Sequence, residues 1–495
     1  MTAPEGLLSR IRSGLPGLAW PPIVTGPLAS LVALARQLEE SQWLPAAEIE
    51  ARQHRQLVVL ATHAAAHSPH FARRLAAAGL APRELATLEG LRRLPVLRRR
   101  EIQLAGSDFY CSAIPEGHGP LRESRTSGST GEPVMIRRTA VSQLFWRAIS
   151  LRFHAWSGRD LTKRSTTIRV DNHEVRVQPH WGAPLNLLFE TGPLQAIPTN
   201  IDIAEQVRLL AEFKPDSLVV YPNNLDAIRR HCQRRGIELA GISRILTMSE
   251  TLSPTVRAAA EEFFKARIFD CYSSGEVGLV ALECPESGLY HIMAETALME
   301  VLDENGRACG PGETGHLVLT DLSNFASPVI RYDIADYAER AAACPCGRGL
   351  PSLRRIVGRE RNLLRRPDGQ RYWPKLDVEG YREVAPVVEH QLLQHEIDLL
   401  EMKLVVEQPL TSKQEKDLAA VVNDAIGYPF RIQFTYFDSE IPRSASGKFE
   451  EFLCLLPDDV PYNHSFRPPG DSRAPGVSGK LLAPWPWIPA FAGMT

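Results

Sequence analysis

The chain has 495 residues, 44% of them hydrophobic and 23% charged, which allows two to four domains with packed cores. Lys and Arg number 56 against 58 Asp and Glu, a formal net charge of -2. That balance argues against a nucleic-acid coat or a membrane-surface binder, because both need a basic excess. No stretch approaches the ~18 apolar residues of a bilayer span. Glu5 precedes any basic leader region, and Gly26-Pro27 interrupts the apolar stretch from Ile23 to Ala35. Neither a signal peptide nor a membrane segment is therefore expected. Eight sparse, unevenly spaced cysteines suit a reducing cytoplasm better than a disulfide scaffold.

From Ala46 to about Glu101 the chain reads as helical and rich in Ala, Leu and Arg. Within it, Arg98-Arg99-Arg100 with Glu101 following reads as a solvated helix face. The middle then alternates short β-branched runs with amphipathic stretches. Ser165–Val170, Ser217–Val220, Arg244–Thr247 and Arg267–Phe269 read as strands, and Ile201–Phe213, Asn223–Arg235 and Pro254–Lys265 as helices. The alternation predicts α/β architecture with strands buried between helices. After the turn-rich segment 305–315, His316–Thr320 reads as a strand in a β-rich section. Near Gly358 a second unit begins: strand Met402–Glu407, helix Ser412–Ile426 and strand Arg431–Phe437. The expected organisation is a large multi-layer α/β domain over 1–357, a small α+β domain over 358–462, and a Pro/Gly-rich tail over 463–495 outside the fold.

The sharpest local signal is Thr126-Ser127-Gly128-Ser129-Thr130-Gly131-Glu132-Pro133, ahead of the predicted strand Val134–Ile136. Small residues let backbone N–H groups approach an anion, and hydroxyls hydrogen-bond phosphate oxygens. It is not a Walker loop, since no Lys-Ser/Thr pair follows the second glycine. On composition alone a plain Ser/Gly turn is favoured. Four further segments change that balance: Tyr272-Ser273-Ser274-Gly275-Glu276, Arg331-Tyr332-Asp333-Ile334-Ala335-Asp336, Gly358-Arg359, and Pro442-Arg443-Ser444-Ala445-Ser446-Gly447-Lys448. Together and in this order they resemble the motifs of the adenylate-forming superfamily over residues 50 to 460. Leu94-Pro95-Val96-Leu97, Arg331-Tyr332-Asp333 and Cys344-Pro345-Cys346-Gly347-Arg348 resemble the phenylacetate–CoA ligase branch and its capsular-polysaccharide relatives.

The resemblance implies a two-domain enzyme whose small C-terminal domain is a mobile lid. It would use ATP to convert a carboxylic acid, aryl or arylacetic by resemblance, into acyl-AMP and pyrophosphate, then transfer the acyl group to coenzyme A. It implies that Thr126, Ser127, Gly128, Ser129, Thr130 and Gly131 cradle the phosphates, with Tyr272 and Ser274 contributing to the nucleotide site. Lys448 would bridge carboxylate and α-phosphate, Glu276 would hold Mg²⁺, and Asp336 and Arg359 would contact the ribose. Such chemistry brings two anions together, so it rests on positioning and electrostatics.

Three positions depart from the family pattern. Ser273 stands where Gly is usual, Gly275 where a hydroxyl is usual, and Arg361 where an Asp or Lys hinge is usual. The residues Tyr221, Asn223, Asn224, Met248, Ser249 and Glu250, with the segment 177–190 containing His180 and Trp181, are candidates for the nucleotide and acyl pockets. For His180 and Trp181 a core role is the commoner outcome.

Cys284, His291, Cys344 and Cys346 form a Cys-x₆-His…Cys-x-Cys set. Three thiolates and an imidazole would satisfy a closed tetrahedral zinc, stabilising rather than catalytic; the alternative is free thiols on two loops. Other rivals are transfer to an amine or carrier-protein thiol, and a nucleotide-binding protein that has lost turnover. The expected partners are a small carboxylic acid and coenzyme A or a carrier thiol, with no nucleic acid and no membrane. The oligomeric state stays open, a homodimer included.

Overall fold

The computed structural model describes residues 6–125, 134–359, 363–367, 371–372, 374, 378–438, 441–442 and 451–456. These form two compact units, the chain passing from the first to the second after Val357. The phosphate-loop segment 126–133, the hinge position Arg361 and the lysine segment 443–450 lie outside the described residues, as does 457–495.

The first unit opens with helices α1 (Pro27–Ser41), α2 (Ala46–His67), α3 (Pro69–Ala77), α4 (Leu88–Arg93) and α5 (Arg99–Ala105). Gly26 and Pro27 act as a start signal, with Gly26 at φ +61° and the proline in the first turn of α1. Along α2, Leu57, Leu60, Ala61 and Ala64 follow helical spacing and bury one stripe against Phe71, Leu75, Leu85, Leu91 and Leu94. A short antiparallel hairpin, β1 (Arg122–Arg125) and β2 (Met135–Arg138), flanks residues 126–133. Helix α6 (Ala140–Trp156) follows, its Thr139 cap accepting from the Ser142 N–H.

The central elements are β3 (Ser165–Arg169), β4 (Arg176–Gln178), α7 (Leu185–Leu188), β5 (Leu194–Pro198), α8 (Ile203–Phe213), β6 (Ser217–Val220), α9 (Pro222–Arg235), β7 (Arg244–Met248), α10 (Pro254–Phe264) and β8 (Arg267–Ser274). Strands β5, β3, β6, β7 and β8 are parallel neighbours. Their side chains alternate between two cores. Leu218, Val220, Ile245 and Ile268 pack with α8–α10 through Val207, Leu210, Leu225, Ile228 and Phe264. Val219, Leu246 and Phe269 face the other way, against α6 residues Phe153 and Trp156. Burial on both faces is why these strands read as near-continuous apolar runs.

After β8 the direction alternates. Strands β9 (Gly278–Glu283), β10 (Tyr290–Ile292), β11 (Ala297–Leu302), β12 (Thr314–Asp321), β13 (Tyr332–Arg340) and β14 (Ser352–Arg359) extend the same sheet antiparallel. Among the described residues this sheet has 12 strands, in the order β11-β12-β13-β14-β10-β9-β8-β7-β6-β3-β5-β4.

The second unit contains β15 (Leu364–Arg365), β16 (Arg371–Tyr372), α11 (Val378–Val384), β17 (Val387–Glu396), β18 (Leu399–Val406), α12 (Ser412–Ile426), β19 (Arg431–Phe437) and β20 (Phe452–Cys454). Its four-stranded sheet runs β19-β18-β17-β20. Leu392, Leu400, Met402 and Leu404 pack on Leu418, Val422 and Ile426 of α12. That helix starts with a capping box of Thr411 and Gln414 and stops at Gly427 in the left-handed region. No helix among the described residues is long and apolar enough to cross a membrane.

Candidate active site and metal cluster

Ligand crevices of parallel α/β sheets lie beyond the carboxyl ends of the strands. At that end of β8, Tyr272 leads into the turn carrying Ser274, Gly275 and Glu276, with a register shift between Tyr272 and Ser273. The Ser274 hydroxyl accepts from the Val277 N–H at 3.0 Å, so it closes the turn. Glu276 is buried, and its Oε1 accepts from the Tyr332 hydroxyl at 3.3 Å and from an Arg99 N–H at 3.2 Å. Burial pushes the Tyr332 phenol well up, Glu276 adding to the shift and Arg99 opposing it, so Tyr332 stays a donor. The Tyr272 hydroxyl donates to Asp336 Oδ2 at 2.5 Å. Tyr272, Ser274, Glu276 and Asp336 are thus brought together from two motifs about 60 residues apart in sequence. Arg359 ends β14 in the second unit. Lys448 and Thr126–Gly131 lie outside the described residues.

The segment from Arg331 to Asp336 is held by a clamp that the motif reading did not anticipate. Leu97 donates its N–H to the Arg331 carbonyl at 2.7 Å and accepts from the Asp333 N–H at 3.0 Å. The buried Arg331 guanidinium pairs two-pronged with Glu300 at 2.9 and 3.0 Å and donates to the carbonyls of Arg92 and Leu94. Arg331 and Ala335 both sit at φ +58°. Among the described residues five non-glycine residues have positive φ; Lys214 and Lys265 are ordinary helix C-caps, while Ser249, Arg331 and Ala335 stand at or near the strand-end crevice. Held strain of this kind gathers where a site must be preorganised.

The arginine run departs from a solvated face at one position: Arg98, paired with Asp333, and Arg100 are exposed, whereas Arg99 reaches Glu276. The partners of Arg98 and Arg99 lie 235 and 177 residues away, which no local pattern reveals. Arg138 at the end of β2 was also missed. It donates to the Gly275 carbonyl at 2.6 Å and to that of Val277 at 3.4 Å, joining the hairpin to the Glu276 turn.

The crevice candidates divide. Tyr221 is buried and accepts from the Val170 N–H, and burial pushes its phenol up to about 12. The Asn223 N–H donates to Glu250 Oε2 at 3.1 Å, and Asn224 donates to Gln206. Met248 and Trp181 belong to the core, with the Trp181 indole donating to the Lys163 carbonyl and Arg159 over its ring at 4.3 Å. His180 is exposed.

At the other end of β9 the ligand atoms of Cys284, His291, Cys344 and Cys346 all lie within 4.8 Å of one another. The Cys344 and Cys284 sulfurs are 3.9 Å apart, near the ~3.7 Å edge of a tetrahedron with zinc–sulfur bonds of ~2.3 Å. His291 Nδ1 lies 3.1 Å from the Leu350 carbonyl, and Nε2 lies 3.3 Å from Cys346 Sγ. Donation from Nδ1 to that carbonyl leaves the Nε2 lone pair aimed at the cysteines, the orientation a metal-ligating histidine needs. Burial pushes His291 down to about 4, so the imidazole is neutral. All cysteines are free thiols. The adjoining Arg348 lies between the rings of Trp43 and Trp156, at 4.5 and 4.7 Å, and donates to Gln42, tying the cysteine loop to the α1–α2 corner. Six strand residues at ~3.3 Å each separate Gly278 from Cys284, so the cluster is about 20 Å from the Glu276 turn.

Comparison with known proteins agrees with this architecture. Residues 379–452 match the family model of the CapK C-terminal domain. Phenylacetate-coenzyme A ligase of Thermus thermophilus is 23% identical over 449 residues, covering 84% of this chain and 98% of the relative. The Aromatoleum evansii enzyme of the same name is 26% identical over 324 residues, covering 64% and 72%. Among solved structures, 2-hydroxyisobutyryl-CoA ligase in its postadenylation state with an acyl-AMP superposes with TM-score 0.67 at 20% identity, covering 84% of this chain and 91% of that one. The chain therefore has the mixed α/β fold of the adenylate-forming CoA ligases, with a large N-terminal and a small C-terminal domain.

Proposed function

We propose that this protein is an AMP-forming acid–thiol ligase. It activates a carboxylic acid with ATP as the acyl-adenylate, releasing pyrophosphate, and transfers the acyl group to coenzyme A. The observation that carries the reading is the convergence of Glu276, Tyr332, Tyr272 and Asp336 beyond β8, within a fold shared with ligases whose structures hold acyl-AMP and coenzyme A. The names of the relatives favour an arylacetic acid as substrate.

In this reading Asp336, oriented by the Tyr272 hydroxyl, accepts from the ribose hydroxyls, and Arg359 adds a second contact. Lys448 supplies positive charge where the carboxylate meets the α-phosphate, and the hydroxyls and amides of 126–131 hold the other phosphates. Glu276 fits a Mg²⁺ site because it is a buried hard-oxygen donor already held beside a cation. Mg²⁺ bound there would neutralise phosphate charge. Gly275 contributes its carbonyl to Arg138, so its missing hydroxyl leaves the turn intact. Cys284, His291, Cys344 and Cys346 hold a structural zinc, since the set is closed, largely buried and remote from the turn. Acceptor dependence of AMP release separates the coenzyme A reading from transfer to an amine or a carrier thiol.

The test is carboxylate-dependent ATP–pyrophosphate exchange on a panel of aryl, arylacetic and fatty acids. Exchange with one acid class, lowered ~10²-fold or more by Lys448→Ala, is expected. ATP binding without exchange on any acid would establish the degenerate alternative instead.

A further inference from the structure

Asn172 fixes the turn that leaves β3. Its side chain donates to the carbonyls of Thr167 and Ile197, each at 3.0 Å, and its N–H donates to the Arg169 carbonyl at 3.2 Å. Within this turn Arg169 and Asp171 form a two-pronged ion pair at 2.8 and 3.0 Å, their side chains 8% and 7% exposed. A buried ion pair adds little net stability over apolar residues of the same volume. Since Asn172 already holds the turn, the pair calls for a role other than support.

Strand register places that pair in the molecule. Thr167 lies level with Val219, Val219 with Leu246, and Met248 with Cys271. Two residues further along, on the same face, come Arg169, Tyr221, Met248 and Cys271, the last row before the strand-end crevice. Cys271 directly precedes Tyr272, whose hydroxyl reaches Asp336. Arg169 ends the row three strand spacings, about 14 Å, from β8. Between them Tyr221 and Met248 are buried in the core against which Trp146 of α6 packs. The Val170 N–H donates to the Tyr221 hydroxyl at 3.4 Å, tying the turn to the row. Burial raises the Tyr221 phenol and the Cys271 thiol, and the Arg169 charge opposes both shifts, so the guanidinium is within electrostatic reach of the row.

The row therefore runs from the nucleotide motif, past largely apolar side chains, to one charged pair. As a whole the pair is neutral, with a guanidinium that donates and a carboxylate that accepts. A hydroxyl does both and matches it. A plain hydrocarbon end would desolvate the pair and return no hydrogen bond.

We propose that Arg169 and Asp171 determine substrate specificity at the far end of the acyl crevice, and that the activated acid carries a hydroxyl there, donating to Asp171 and accepting from Arg169. The assignment rests on the reading of this chain as an acid-activating ligase and names the class of acid.

The test is ATP–pyrophosphate exchange by the full chain on matched acids of increasing reach: phenylacetic and para-hydroxyphenylacetic, cinnamic and para-hydroxycinnamic, octanoic and ω-hydroxyoctanoic. In at least one pair the hydroxylated acid should have the higher kcat/KM by ~10²-fold or more, as for sites built to bond a substrate hydroxyl. The double variant Arg169→Met/Asp171→Leu removes both charges and strands neither. It should lose the preference through a lower kcat/KM for the hydroxylated acid, the other acid being unchanged or better. Thr166→Val/Gln195→Met, a hydrogen-bonded pair on the opposite face of the sheet, should keep the preference. Wild-type exchange that is as fast or faster without the hydroxyl overturns the assignment and leaves the ligase reading standing; it needs no variant to fold. A double variant that exchanges and keeps the preference overturns it too. No exchange with any of these acids would sink the ligase reading itself, and the assignment with it.

Discussion

The two ends of strand β9 hold two clusters of metal-capable side chains built on opposite principles. At the Gly278 end, the Glu276 carboxylate accepts from Arg99 and the Tyr332 hydroxyl, and two non-glycine residues of the neighbouring motif stand at φ +58°. At the Cys284 end, three sulfurs and a neutral imidazole converge with no carboxylate among them. A hard carboxylate oxygen suits a cation that arrives and leaves with a nucleotide. Soft ligands closed on all sides suit one that stays. In the proposed reading, strand β9 would therefore carry an exchangeable site at one end and a permanent one at the other, about 20 Å apart.

The sharpest way to break the comparison is to damage each end in turn. Cys346→Ser, or removal of metal by a strong chelator, should lower Tm by about 10 °C, since loss of a structural metal ranks among the large destabilising changes. Exchange measured at 20 °C should survive. Glu276→Gln should do the reverse, losing ~10²–10³-fold in exchange with little change in Tm. Equal effects on both readouts from either variant would dissolve the distinction.

At the Cys284 end, level with Glu283, lies Asp270 on β8, buried, accepting from Thr247 at 2.6 Å and Tyr290 at 2.7 Å, with Glu283 and Arg257 facing it. Burial pushes its carboxyl up to about 7, against ~3.9 in an unfolded chain. Between those values the folded protein holds a proton that the unfolded chain has released. Stability from this group is therefore present below about pH 4 and lost as pH rises through about 7, by up to about 4 kcal/mol. Melting curves at pH 5 and 8 should show Asp270→Asn losing less stability than wild type across that interval.

The smallest effect belongs to the strained segment. Ala335→Gly removes a Cβ from the left-handed region and should stabilise the fold by up to about 1 kcal/mol, the relief of strain being partly offset by chain entropy. A clear loss of stability would mean that φ +58° is not strained here.

Much of the fold was legible because it is local. The helix Ser412–Ile426 and the strand Arg431–Phe437 occupy the residues their periodicity predicts, with Thr411 and Gly427 as punctuation. Helix α1 was hidden because Gly26-Pro27 reads as an interruption when it is a beginning. The run ending at Phe269 continues to Ser274 because Asp270 is bonded to Thr247 and Tyr290 inside the sheet, an arrangement its own neighbours in sequence do not signal. At the site, Glu276, Asp336 and the four metal-type ligands were legible as residue types in order. Arg99, Arg138 and the Leu97 clamp were not.

By itself the sequence determined the element types, the two-domain order, and which chemistries were available: hydroxyls and glycines for phosphate, a carboxylate for a hard cation, thiols for a soft one. These follow from backbone preferences and side-chain chemistry within a few residues. Only the tertiary structure decided which charges meet. Cys284 and His291 join Cys344 and Cys346 because β10 and β14 pair with His291 opposite Ser352, and Arg99 finds Glu276 because Leu97 bonds into β13. Strand register and packing over more than 50 residues of chain set those distances, and no local rule encodes them.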